Sequence, residues 1–224
     1  WSSIQPFLIA LIFCFSLLSF KLNTTMEISM EAIKELRDET GVSVMQCKKA
    51  LEEAAGDMEK ARMMLRKKSG EIAAKKGDRT LGSGVVAAYI HGNNSVGAIV
   101  EVACETDFVA KNEDFKQFAY EIAMHVVALN PKYRTQEDIT EADRAKAKEF
   151  FAEEVEKTMA GKPDAIKEKA LEGKIAAFFA ESVLLEQPFV KNPDLTVANL
   201  VTNAVQKFGE KTEIIRFSRF AVGK

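Results

Sequence analysis

Apolar residues recur at helical spacing near the start of the chain, switch to β-branched runs in the middle, and return to helical spacing afterwards. From Ser29, Ile33 and Leu36 share one helical face until Thr40-Gly41, where glycine tolerates the positive φ of a helix end. Ser43 then caps a second helix with Val44, Cys47, Leu51 and Ala54 on its stripe. Gly56 ends that helix and Asp57 caps a third, which points Ala61, Met64 and Leu65 inward. These helices predict a compact module at residues 26–70. The stretch 66–79 is basic, polar and glycine-containing, and a linker is expected at 71–82, the other reading being that the helix continues there as an exposed helix.

Beyond it the period becomes that of a strand. Residues 85–91 and 96–104 are apolar runs separated by Gly92-Asn93-Asn94, which offers the positive-φ residues a tight hairpin needs. After Asn112, the positions of Phe115, Phe118, Ala119, Ile122, Ala123, Val126 and Val127 predict an amphipathic helix lying on the hairpin and ended by Asn130-Pro131. Residues 141–160 and 164–186 read as helices, the second presenting Ile175, Phe178, Phe179, Ser182 and Val183 before Pro188 stops it. Thr196 caps a last helix with Val197, Leu200, Val201, Ala204, Val205 and Phe208 on one stripe, Gly209 closes it, and residues 213–222 have strand composition. A hairpin is marginal alone, so the last strand is expected to pair with it. The predicted class is α+β: a three-helix module, then an antiparallel β-sheet core at 83–224 (hairpin plus C-terminal strand) covered by helices.

The first 25 residues stand apart. Residues 6–20 are apolar and uncharged, without a basic start or a small-residue cleavage pattern, and are shorter than the ~20 residues of a membrane span. We read 1–25 as upstream sequence outside the fold, the other reading being a signal or anchor, and expect no membrane partner. Among 224 residues, 31 Lys and Arg face 33 Asp and Glu, so no global positive field favours direct nucleic-acid binding. Cys14, Cys47 and Cys104 have neither metal-ligand spacing nor the look of a disulfide framework, which fits a reducing cytoplasmic setting.

Reactive groups do not converge. Gly82-Ser83-Gly84 leads into a strand rather than a helix, so it reads as a flexible joint and not as a phosphate loop. His91 lies at the hairpin turn and His125 on a helix flank, both expected to be solvated or partner-facing; Glu153-Glu154 belongs to a charged helical face. These patterns point to binding rather than covalent catalysis, with no enzyme activity, cofactor or metal expected.

The stretch Glu105-Thr106-Asp107-Phe108-Val109-Ala110-Lys111-Asn112 joins the second strand to the amphipathic helix. Two readings fit its aromatic residue. Phe108 folds back as a staple onto the helix capped by Asn112, or it is a wedge that buries roughly 150–250 Å² in a partner's pocket beside a carboxylate.

The segment EVACETDFVAKN resembles the core signature of the elongation factor Ts family. Residues 36–76, LRDETGVSVMQCKKALEEAAGDMEKARMMLRKKSGEIAAKK, resemble that family's ubiquitin-associated-like N-terminal module, and LLEQPFVKNPDLTVANLV at 184–201 resembles its C-terminal signature. The resemblance covers 26–224 and implies a guanine-nucleotide exchange factor acting on elongation factor Tu, in its GDP-bound and nucleotide-free forms. It further implies that Asp107 and Phe108, flanked by Thr106 and Val109, intrude into the GTPase domain near magnesium and phosphate. Arg37 and Met45 match positions that face the GTPase, Cys47 belongs to the packing stripe, and His91 in HGNN resembles a further contact. Ser43 and Val44 stand where many members have Gly and a second Met, implying a re-shaped patch. The chain resembles the compact type, with one core unit where longer members carry two, which raises a homodimer as the source of the second half. The competing reading is a non-exchanging ubiquitin-associated-type interaction module, offering an apolar patch from residues 50–66.

Overall fold

The protein is described by a computed structural model at residues 28–223; the apolar run at 6–20, and Cys14 with it, lie outside the described residues. Helices α1 (Met30–Thr40), α2 (Val44–Glu53) and α3 (Met58–Lys75) form the first module. The side chains of Ser43 and Asp57 accept from the backbone N–H groups of Gln46 and Lys60, as expected of caps, and Ser29 caps α1 in the same way by accepting from Ala32. Gly41 takes φ 68° and closes α1. Ile33, Leu36, Val42, Cys47, Leu51, Ala61 and Leu65 pack into one buried cluster.

One expectation for this module is corrected, and of the two readings of residue 71 onward the helical one holds as far as Lys75. Val44 is 46% exposed, because it opens α2 on the outer face and the buried stripe begins at Cys47. The linker expected from residue 71 starts as helix, since α3 runs on to Lys75. Its second half packs on a later helix, with Ser69 fully buried there, and that contact outweighs the propensity cost of Gly70, about 1 kcal/mol.

Strands β1 (Ser83–Ile90) and β2 (Val96–Cys104) form the predicted hairpin, in register from Ser83 opposite Cys104 to Ile90 opposite Gly97. Among residues 92–94, Asn94 alone has positive φ, at 56°; Gly92 does not use its freedom. The C-terminal strand, labelled β5 (Thr212–Ala221), pairs antiparallel on the other side of β2, giving the order β1-β2-β5. A single helical turn, α4 (Asp107–Ala110), then α5 (Glu113–Leu129) follow β2. The apolar face of α5 lies on the sheet, where Phe115, Phe118, Ile122 and Val126 join Val100, Val102 and Ile214. Asn130 ends α5 at φ 50°.

Helices α6 (Glu141–Thr158) and α7 (Asp164–Ser182) pair around a separate small cluster of Ile139, Ala147, Phe179 and Val183. Within the expected stripe of α7, Phe178 is 38% exposed. This helix ends before residue 186 because Val183 bridges to Tyr133 and the Leu184 N–H donates to the Tyr133 carbonyl at 2.8 Å. A small hairpin, β3 (Pro188–Phe189) and β4 (Asn192–Thr196), precedes α8 (Val197–Phe208), whose buried Val197 and Ala204 complete the main core. Thr196 caps α8 and Gly209 closes it at φ 72°.

His125 is fully buried, against the expectation of a solvated or partner-facing side chain. It stacks on Phe189, its Nδ1 accepts from the Val190 N–H at 3.2 Å, and Nε2 lies 2.9 Å from Gln187 Oε1. The Nδ1 acceptor role leaves the proton on Nε2, donating to Gln187. Burial pushes the imidazole below its ordinary pKa.

Gly84 also departs from expectation. It belongs to β1, and a Cβ placed there would meet the Val102 carbonyl oxygen at 2.5 Å and the Ala103 Cα at 2.9 Å. Close backbone approach, not joint-like freedom, requires glycine here. Gly84→Ala should lower stability by about 1–3 kcal/mol, whereas Gly92→Ala, with open space at its Cβ, should change it little. Denaturant unfolding of both variants checks this. The depressed His125 pKa means that the unfolded chain binds the proton first as acid is added. Stability is therefore complete above about pH 6.5 and falls below it at up to ~1.4 kcal/mol per pH unit from this residue. In urea titrations across that range, His125→Gln should flatten the slope.

Candidate functional site

The turn α4 hangs from the end of the central strand. A four-residue helix spaced at 100° per residue must split its side chains between core and solvent. Val109 and Ala110 are 5% and 8% exposed and belong to the main core, while Phe108 is 81% exposed. The staple reading of Phe108 is thereby corrected: the ring does not fold onto α5. Asn112 caps α5 without it, its Oδ1 accepting the Asp114 N–H at 2.8 Å. Val109 seats the turn from within.

Beside Phe108, Asp107 is exposed and 2.6 Å from Lys111 Nζ, and that ammonium holds its carboxyl below the usual range. Thr106 is extended, at φ −127° and ψ 158°, and lends α4 no side-chain cap. Its N–H and Oγ instead donate to Glu210 at 2.9 and 2.6 Å. Glu105 accepts from the Lys211 N–H and, at 3.0 Å, from Arg79; the backbone donor foremost, then Arg79, hold its carboxyl low. Sequence spacing could not have found Glu210, which lies 104 residues from Thr106. Chemically, the site offers an ordered apolar ring next to a carboxylate.

The other candidate residues lie on different surfaces. His91 is exposed at the hairpin turn, its Nδ1 3.2 Å from the Tyr89 hydroxyl. Strand rise puts that turn roughly 25 Å from Cys104, the end of β2 from which the chain leads into α4. On the first module, Met45 is 80% exposed, and Arg37 lines a shallow groove with Met30, Ile33, Lys34 and Val44. Met30, 69% exposed, is a groove residue that the stripe of Ile33 and Leu36 did not single out. The module is tied to the core: Arg66 donates to the Asp194 carbonyl, Ser69 bonds Gln206, and Gln206 donates to Gln46 at 2.6 Å.

The outer face of the sheet is a further apolar surface that sequence reasoning passed over. Val86, Ile90, Ile99, Phe220 and Val222 are between 47% and 80% exposed. The signal was in β1, where Val85-Val86, Ala87-Ala88 and Tyr89-Ile90 keep both alternating faces apolar. Among the described residues no group of three or more His, Cys, Asp or Glu side chains is placed to hold a metal, and no helix is long and apolar enough to cross a membrane.

A family profile described as Elongation factor TS matches residues 23–224. A protein named Elongation factor Ts from Carboxydothermus hydrogenoformans is 48% identical over 197 residues, covering 88% of this chain and 90% of the relative. Its namesake from Herpetosiphon aurantiacus is 46% identical, covering 88% and 99%. That of Thermosipho melanesiensis is 44% identical, covering 88% of this chain and all of the relative. The match takes in the first module, the sheet core and the α4 turn together, and the chain belongs to the elongation factor Ts family.

Proposed function

We infer that this chain is a guanine-nucleotide exchange factor for elongation factor Tu, a cytoplasmic protein that releases GDP during translation elongation without making or breaking a covalent bond. The observation that carries the site assignment is Phe108, left 81% exposed beside Asp107 on a turn whose flanks are held by hydrogen bonds. An exposed ring on an ordered turn is the composition of an interface anchor.

The mechanism follows from linkage. A factor that binds the nucleotide-free GTPase more tightly than the GDP-bound form weakens GDP by the same factor. Phe108 gains burial only where the GTPase elements around magnesium have shifted, and Asp107 brings negative charge toward a site already holding phosphates. Thr106 and Val109 hold the pair in place. Arg37 and Met45 on the module at 26–70 add docking affinity, the core at 83–224 carries exchange, and His91 is a separate, more distant contact. Reading the chain as a ubiquitin-associated-type module alone accounts for residues 26–70 and leaves the family match over the rest unused.

A second copy of this chain is the occupant we assign to the bare sheet face. Val86, Ile90, Ile99, Phe220 and Val222 stand where an antiparallel sheet facing water would carry polar residues, and two identical faces related by a twofold axis bury each other.

Stimulated release of a fluorescent GDP analogue from elongation factor Tu tests the site. Phe108→Ala should keep the melting temperature and lose about tenfold to a hundredfold in exchange efficiency, the scale of one buried Phe. Val109→Ala should mainly lower the melting temperature. Met45→Asp should raise the concentration for half-maximal release and leave the saturating rate near normal. A Phe108→Ala protein with normal exchange would sink the assignment. For the dimer, sedimentation of the full chain should report twice the monomer mass, and Phe220→Asp with Ile99→Asp should yield a folded monomer; a monomeric parent protein would overturn the pairing.

A further inference from the structure

Three segments distant in sequence meet beneath the Phe108 turn: the end of β2, the connection from α8 to β5, and the approach to β1. Two of them exchange carboxylates. Glu210 accepts the Thr106 N–H at 2.9 Å and the Thr106 hydroxyl at 2.6 Å, while Glu105 accepts the Lys211 N–H in return. The third segment joins through Arg79, 3.0 Å from Glu105, and through the Gly77 carbonyl, which accepts from Lys211 Nζ at 2.7 Å.

This arrangement matters because α4 cannot order itself. One helical turn has no stability of its own, and α4 lacks a side-chain cap bond at its N-terminus. Val109 and Ala110 fix its inner side only. The backbone direction entering Asp107 and Phe108 is set by Thr106, whose N–H and hydroxyl both point to one carboxylate. An exposed ring on a disordered turn would have to be ordered at the moment of docking, which subtracts from the binding energy available for displacing nucleotide.

We propose that Glu210, with Glu105 as its reciprocal partner, is a positioning residue that holds the Phe108 turn in its docking conformation in the free factor. The proposal rests on the assignment of Phe108 as the docking ring. A merely structural carboxylate would affect stability; a positioning one affects the rate through Phe108.

The test uses the full chain carrying Glu210→Ala, Glu210→Gln, Phe108→Ala, and Glu210→Ala combined with Phe108→Ala. At saturating factor, Glu210→Ala should slow GDP release about fivefold to tenfold, the scale of a charge-assisted hydrogen bond, with little change in the half-saturating concentration. Glu210→Gln should recover most of the rate, because its amide oxygen still accepts the Thr106 N–H. In the Phe108→Ala background, Glu210→Ala should add almost nothing. Amide hydrogen exchange at Thr106, measured without any partner, should speed up about tenfold or more in Glu210→Ala. Equal losses in both backgrounds, or unchanged Thr106 exchange, would overturn the proposal. If Phe108→Ala leaves release normal, the docking-ring assignment fails while Thr106 exchange still reports on the clamp. A slow Phe108→Ala beside a normal Glu210→Ala sinks the clamp alone. Should Glu210→Ala unfold at assay temperature, Thr106→Val, which removes only the hydroxyl donor, should slow release about twofold to threefold, and no change in rate would overturn the proposal.

Discussion

The pairing of β2 on both of its edges is the constraint from which the rest of this structure follows. Val96–Cys104 takes the hairpin partner on one side and the C-terminal strand on the other, joining residues more than 100 positions apart. Its inward side chains Ala98, Val100 and Val102 are almost fully buried under α5. Because β2 is held on two sides and one face, its end at Cys104 is a fixed point. The turn that follows inherits that fixity, and so does the bond pattern linking Glu105 and Thr106 to the 209–211 connection. A loop hung from an edge strand would have no such footing.

Apolar surface tells the same story in two forms. Phe115, Phe179 and Leu184 are buried, as a core demands, whereas Phe108, Met45 and Phe220 are left in water. Exposed large side chains scattered singly need no explanation, but these sit on an ordered turn, at the start of α2, and on one face of a sheet. They are places where local rules of burial are broken by an otherwise consistent sequence, which is where function is expected. The buried pair of His125 and Gln187 makes the opposite point. A titratable side chain in the core is satisfied on both ring nitrogens and serves packing.

The first module is more than a tethered appendage. Its longest helix passes beyond Gly70 and lies along α8, where Ser69, Gln206 and Gln46 connect three helices through polar contacts. A partly buried polar chain of this kind fixes relative orientation better than apolar contact alone, since each member has a specific partner to lose. Through it, the patch bearing Arg37 and Met45 keeps a defined relation to the core, and the segment at 76–79 is tied to Glu105 and to the 209–211 connection.

Sequence by itself determined the local structure. Ser29, Ser43, Asp57, Asn112 and Thr196 as caps, Gly41 and Gly209 as stops, and the stripes of α5 and α8 are short-range features, decided by side chains bonding backbone within a few residues. Motif spelling also carried the family. Tertiary structure alone decided whether Phe108 points out or in, because that depends on the rotation of a single turn seated by Val109 and pinned by Glu210, a residue no local pattern connects to it. It decided, too, that Gly84 serves close strand approach and that His125 is interior, since both depend on what a distant segment places opposite them. Local chemistry acts over a few residues and is legible in order along the chain; contacts across a hundred residues exist only once β2 has gathered its partners.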